Sequence, residues 1–158
     1  MTKEAIIVLS ITAVYLLYLL IRVLRGRSVK RRVRALARNA VEMSPEAFFR
    51  LRNKTQGNSR EHISKKYDYE GVYILYNKTR HMYYVGQALN VLSRINQHLT
   101  GHGNGDVYAD FKYGDRFSIT SIRLRGSGHA TLNELERHCI AQYKADSTGY
   151  NKTRGNKD

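Results

Sequence analysis

"GVYILYNKTRHMYYVGQALNVLSRINQHL", residues 71–99, holds two short runs rich in Val, Ile and Tyr, a polar break between them, and then apolar residues at helical spacing. The two runs read as strands 71–76 and 82–87 of a hairpin, because β-branched and aromatic side chains suit a half-buried pleated surface and the connection is short. A four-residue loop Asn77–Arg80 would set Tyr76 opposite His81, and hence Tyr73 opposite Tyr84 on the same face. A slip of one residue would send the two tyrosines to opposite faces. In the helix that follows, 90–100, Arg94 and His98 are four apart and share a side. Two phenols, a guanidinium and an imidazole gathered in this way exceed what a framework packed only for stability requires.

Downstream come a Gly-rich break, "TGHGNG" at 100–105, a short helix 106–113, a strand 117–125, a loop "GSGH" at 126–129, and a helix 131–145. The whole reads as an α+β domain: a small three-stranded antiparallel sheet flanked by helices. Glu136 on the last helix is a candidate ligand for a hard cation, whereas Glu134 lies about 200° around the helix and faces away. His98 and His102 form an i, i+4 pair but have no third zinc ligand at suitable spacing, and Gly101 falls between them. The loop "GSGH" lacks the Lys-Ser/Thr of a phosphate-binding loop. Cys139 is the single cysteine, which excludes an internal disulfide and a thiol-rich zinc set; its setting, "ELERHCIAQY", reads as that of a buried small apolar residue.

Upstream, residues 5–21, "AIIVLSITAVYLLYLLI", are seventeen residues without a charge. With Val23 and Leu24 the stretch covers roughly 26–30 Å as a helix, enough for a bilayer core. It runs straight into "RVLRGRSVKRRVR" without a small-residue cleavage site, so it reads as a retained single-span anchor over 1–24. Residues 22–38 hold eight Lys/Arg and no acid, which puts the C-terminal part in the cytoplasm and the short N-terminus outside. Val29, Val33, Leu36 and Ala40 form one stripe of a helix whose other face is basic. Such a helix suits anionic headgroups, a phosphate backbone or plain solvation alike. Ser44, Pro45 and Glu46 start a further helix that Gly57 ends, and 58–66 reads as a linker. The expected organisation is therefore an anchor 1–24, a basic helical segment 25–66, and a domain 67–158.

The net charge of +14 is unevenly spread: residues 22–66 carry +11 and residues 67–158 only +3. No zinc finger or helix-turn-helix accompanies it, which speaks against a long sequence-recognition site.

"GVY" at 71–73 and "YVG" at 84–86 resemble the paired signature of the GIY-YIG nucleases. Arg94, ten residues after Tyr84, and His98, four further on, keep that family's spacing. "TLNELERHCIAQY" resembles its metal-binding helix, and "GYN" at 149–151 its closing element. The resemblance spans roughly 67–153, with Val in place of Ile at 72 and 85 and with Gln87 where some members carry Lys. It implies a metal-dependent endonuclease acting on DNA, branched and single-stranded forms included, with Mg²⁺ (or Mn²⁺) held by Glu136. It also implies Tyr73 as general base and Tyr84 hydrogen-bonding near the phosphate or nucleophile. Arg94 would bind the phosphate, His98 would position or relay the base's proton, and Asn151 would support the site. Gly71 and Gly86 are the motif glycines, which allow close backbone approach to a ligand. Tyrosine is a poor base at its usual pKa of about 10, and a cation and arginine nearby would favour its phenolate. With an anionic membrane surface as a further expected partner, the reading is a membrane-tethered nuclease. The alternative is a catalytically retired nucleic-acid- or lipid-binding module on the same scaffold.

Overall fold

The computed structural model describes residues 3–53 and 67–156, with only the backbone for Glu4 and Ile6. Among these residues are five helices and three strands: α1 Lys3–Asn39, α2 Pro45–Asn53, β1 Gly71–Asn77, β2 Met82–Ala88, α3 Val91–Leu99, α4 Gly105–Lys112, β3 Phe117–Arg123 and α5 Leu132–Tyr143. The Gly57 stop and the 58–66 linker expected from the sequence lie outside the described residues.

The sheet is antiparallel throughout, in the order β2-β1-β3. Its central strand, β1, is the most apolar, as a strand covered on both faces must be. Tyr73 and Leu75 point to one side, where Val91, Ile95 and Leu99 of α3, Val107 of α4 and Phe48 of α2 close a core. Val72 and Ile74 point to the other, against Leu135, Cys139 and Ile140 of α5. Both outer edges are occupied: Met43 exchanges two backbone hydrogen bonds with Ile119 beside β3, and Tyr150 donates its N–H to the Tyr83 carbonyl beside β2. Unpaired edges invite association with other strands, and these short segments blunt them.

The hairpin register differs from the expectation by two residues. Asn77 pairs with Met82, Tyr76 with Tyr83, Leu75 with Tyr84 and Tyr73 with Gly86. The reason is Asn77, which is buried as the last residue of β1 rather than the first of the loop. Its Oδ1 accepts the N–H groups of Thr79 and Arg80, while its Nδ2 donates to Asp115 and Tyr150. The turn therefore runs from Lys78 to His81, and His81 closes it at φ 58°. A shift of two preserves the face, so Tyr73 and Tyr84 remain neighbours, now diagonally, with ring centroids 6.1 Å apart.

α1 is one unbroken helix through residue 24, where the sequence suggested a boundary. Its large apolar residues from Ile7 to Leu24 stand almost all exposed, and no other described part of the chain buries them. It is long and apolar enough to cross a membrane. Its last third docks on the domain: Val33 is fully buried beside Val72, Ile74 and Ile122, with Leu36 and Ala37 packed around it. The stripe read from the sequence thus faces the sheet and α5, which excludes a helix that buries this stripe in lipid. Arg32 adds a hydrogen bond from Nη1 to the Gly128 carbonyl at 2.9 Å.

Candidate active site

Tyr73 projects from the middle of the central strand and is 1% exposed. Its ring lies over Gly86, its cross-strand partner, so closely that a Cβ at position 86 would stand 2.6 Å from Tyr73 Cζ. Gly86 therefore makes room for the tyrosine itself. The close approach at Gly71 is likewise to the protein, since a Cβ there would collide with the Ile122 backbone across β1 and β3.

α3 supplies the partners of Tyr73, and its start is fixed from outside the helix. Asn90 makes no side-chain cap. Instead Asp68 accepts the N–H groups of Leu92 and Ser93 and the Ser93 hydroxyl, at 2.7, 2.9 and 2.7 Å. A carboxylate at the positive end of a helix is favourable both as a cap and with the helix dipole. One turn on, half-buried Arg94 reaches the Tyr73 hydroxyl and donates Nη1 to Gln97 Oε1 at 2.6 Å.

His98 is fully buried, with Nε2 2.9 Å from Tyr73 Oη and Nδ1 2.9 Å from the backbone nitrogen of Asn104. A peptide N–H only donates, so Nδ1 accepts and the neutral ring carries its proton on Nε2, pointed at Tyr73. Burial and the Arg94 charge pull the imidazole pKa down to about 4. Gly103 completes the fit, because a Cβ there would stand 2.5 Å from His98 Nδ1. With Tyr73 Oη receiving from His98, its own O–H is left to face the neighbouring Tyr84 hydroxyl, and the Arg94 guanidinium lies close by. The Tyr73 pKa lies far above the ordinary phenol value, chiefly because the ring is buried and secondly because of Tyr84. Arg94 acts in the direction expected from the sequence but is outweighed. Tyr84, less buried, is raised less decisively, by burial, while Tyr73 and Arg94 pull it down.

Glu136 comes from α5, whose start is capped by Thr131 accepting the Glu134 N–H and by Glu134 accepting the Ala130 N–H. Glu134 thus belongs to the cap. Glu136 lies near enough for its charge to raise Tyr84. The residue is 8% exposed, and burial raises its pKa while the nearby Asn156 N–H and Gln87 pull it down. Gln87 donates Nε2 to Asn133 Oδ1 at 2.6 Å and to Glu136 Oε2 at 3.2 Å, which holds the carboxylate in place.

Tyr73, Tyr84, Arg94 and His98 are therefore one connected group, with Glu136 beside it on a separate element. Asn151 stands apart: its Oδ1 accepts the Val85 N–H at 2.8 Å and its Nδ2 donates to the Val85 carbonyl at 2.7 Å, so that it completes the outer edge of β2 like a strand residue. Among the described residues no group of three or more His, Cys, Asp or Glu could hold a metal. A single carboxylate fits a hard divalent ion that keeps most of its waters, and both nitrogens of His98 are already engaged. Cys139 is buried and its thiol is pushed up to about 12, which suits packing and not nucleophilic chemistry.

Asp68, Gly103, Asn104 and Asn133 are absent from the sequence reading of the site. Only Asn104 carried a signal, as a capping residue before "GDVYADFK", where its side chain accepts the N–H groups of Asp106 and Val107.

The family model described as the GIY-YIG catalytic domain matches residues 69–151, just over half of the chain. No curated protein and no solved structure matches it.

Proposed function

The chain belongs to the GIY-YIG catalytic-domain family, and from that premise we propose that it is a membrane-tethered, divalent-metal-dependent endonuclease that hydrolyses DNA. The observation that carries the reading is the group Tyr73, Tyr84, Arg94 and His98, assembled from two strands and a helix beside the carboxylate of Glu136.

Phosphodiester hydrolysis needs a proton acceptor for water and neutralisation of charge at the phosphoryl oxygens. Tyr73 is the acceptor. Its own proton leaves by way of the neighbouring Tyr84, which gives up its hydroxyl proton toward solvent as it takes this one, and the phenolate left at Oη is held by the His98 Nε2–H and by the Arg94 charge. His98 acts as a positioning residue and not as a relay, because its Nδ1 is committed to a backbone N–H. Arg94 presents its fork of donors to the phosphate as well. Glu136 would hold a hydrated divalent ion, which would supply the remaining charge neutralisation. Gln87 keeps the Glu136 carboxylate aimed, and Asn151 acts through the edge of β2.

The tether is the exposed apolar part of α1, with the N-terminus outside and the catalytic domain in the cytoplasm. The exposed basic face at 22–38 suits anionic headgroups or the phosphates of bound DNA. Cutting is tested with the full chain in detergent or nanodiscs, because Val33 of α1 belongs to the core and a 60–158 fragment would lack it. Linear, nicked, flapped, branched and single-stranded DNA are compared with Mg²⁺ or Mn²⁺. Cutting is expected, and it is lost in folded Tyr73→Phe, Arg94→Ala and Glu136→Ala proteins. A full chain that cuts none of these substrates refutes the proposal.

A further inference from the structure

Beyond Asn151 the chain turns back across α5. Gly155, at φ 92°, sits so close to this helix that a Cβ built on it would be 3.1 Å from Arg137 Cγ, 3.2 Å from Glu136 Oε2 and 3.3 Å from Ile140 Cδ1. Arg137 donates Nη1 to the Asn156 carbonyl at 2.8 Å, and the Asn156 N–H lies close enough to the Glu136 carboxylate to pull its pKa down against burial. Farther back Arg154 pairs with Asp146 at 3.3 Å. The backbone of 155–156 therefore lies over the acid that the proposed function gives to a divalent ion.

A hydrated cation needs open space in front of its carboxylate, since Mg²⁺ retains several waters when a single acid holds it. Glu136, at 8% exposed and with the Gly155 backbone close against Oε2, does not offer that space. We infer that residues 152–156 form an autoinhibitory strap, which must lift from Glu136 before a hydrated divalent cation can bind there. The strap is lightly fastened. Lys152, Thr153 and Arg154 are exposed, and the Arg154 side chain is 92% exposed, so its ion pair adds little. Among the described residues its other fastenings are the hydrogen bond from Arg137 to the Asn156 carbonyl and the close contacts of the Gly155–Asn156 backbone with Glu136. Their loss on opening lowers the apparent cation affinity on the order of ten-fold, because only the lifted fraction binds.

The inference rests on Glu136 as the metal ligand, and the experiment separates the two. Mn²⁺ binding to the full chain, without DNA, is titrated by electron paramagnetic resonance. It is repeated for a chain stopped after Thr153, for Gly155→Val and for Glu136→Gln. Gly155→Val keeps every charge while making the left-handed backbone and the close contact untenable. Both strap variants are expected to bind Mn²⁺ about ten-fold more tightly, and Glu136→Gln to lose the site. In the full chain, Mn²⁺ should also speed hydrogen exchange at 155–156, and not in Glu136→Gln. Mn²⁺ affinity that is equal or weaker in the strap variants overturns the strap. Undiminished binding in Glu136→Gln overturns instead the assignment of the ligand.

Discussion

Gly86→Ala tests the packing on which the site depends. The added methyl would stand 2.6 Å from Tyr73 Cζ, 3.2 Å from Cε1 and closer still to Oη, where carbon atoms ordinarily settle at about 3.5–4.0 Å. The ring must move by roughly 1 Å, since the position across the strand pair is fixed by the β1–β2 ladder. Overpacking of this kind costs about 1–3 kcal/mol. The movement also pulls Oη from the 2.9 Å bond to His98, leaving a buried Nε2–H unpaired for about 1–3 kcal/mol more. For a domain of this size each kcal/mol lowers Tm by roughly 4–8 °C. Misplacement of a reacting group by about 1 Å lowers turnover on the order of 10²-fold. Thermal melts and single-turnover cutting, with the full chain, should therefore show a fall of more than about 5 °C and a rate loss near 10²-fold. Tyr73→Phe supplies the control. It removes the atom that meets the methyl most closely, so the double variant should melt higher than the two single losses summed. Strict additivity, or a Gly86→Ala protein that cuts at the wild-type rate, would refute the argument that Gly86 exists to seat Tyr73.

His98 and Asn151 make different demands. With the imidazole pKa at about 4 in the folded protein, against 6.5 unfolded, the unfolded chain takes up a proton that the folded chain refuses as pH falls. The stability that His98 confers is full above pH 6.5 and is lost progressively down to pH 4, by about 3 kcal/mol in all. His138 is shifted in the same direction, so the measurement is the difference in unfolding free energy between wild type and His98→Asn. That difference should shrink by about 3 kcal/mol from pH 7 to pH 4, and a constant difference would contradict the neutral, Nε2-protonated ring. Asn151→Ala should cost about 2–4 kcal/mol by stranding the N–H and carbonyl of Val85, and should speed hydrogen exchange at that amide. An Asn151→Ala protein with wild-type stability but no cutting would put the side chain in the chemistry and not at the strand edge.

The elements were legible where one period dominated a segment. β1 is apolar along almost its whole length, α3 repeats Val91, Ile95 and Leu99 at the spacing of a helix, and α5 opens with a capping threonine. Ends and register were less so, because they depend on what a side chain meets across the fold. Asn77 is a typical loop residue by type, and its place inside β1 follows from Asp115 and Tyr150, 38 and 73 residues away. The stripe on α1 was readable as a helix face, but its partner was not: the same spacing serves a lipid surface or a protein core, and only Val72, Ile74 and Ile122 decide for the core.

For the site, residue types were readable and the direction of the protons was not. Nothing in the spacing of Tyr73, Tyr84, Arg94 and His98 says which nitrogen of the imidazole carries hydrogen. That is decided by Asn104, a residue chosen locally to cap α4, whose own peptide N–H happens to end on His98 Nδ1. Once that nitrogen accepts, the other must donate, Tyr73 must receive, and the Tyr73 O–H is left to face Tyr84. The backbone N–H cannot reverse this order, whereas a side-chain hydroxyl in its place could rotate and do so. The loop 100–104 therefore sets how His98 meets Tyr73: Gly103 lets it approach, and the amide after it fixes which imidazole nitrogen carries the proton. With its pKa raised by burial, the base we propose at Tyr73 depends on those fixed donors more than an exposed one would.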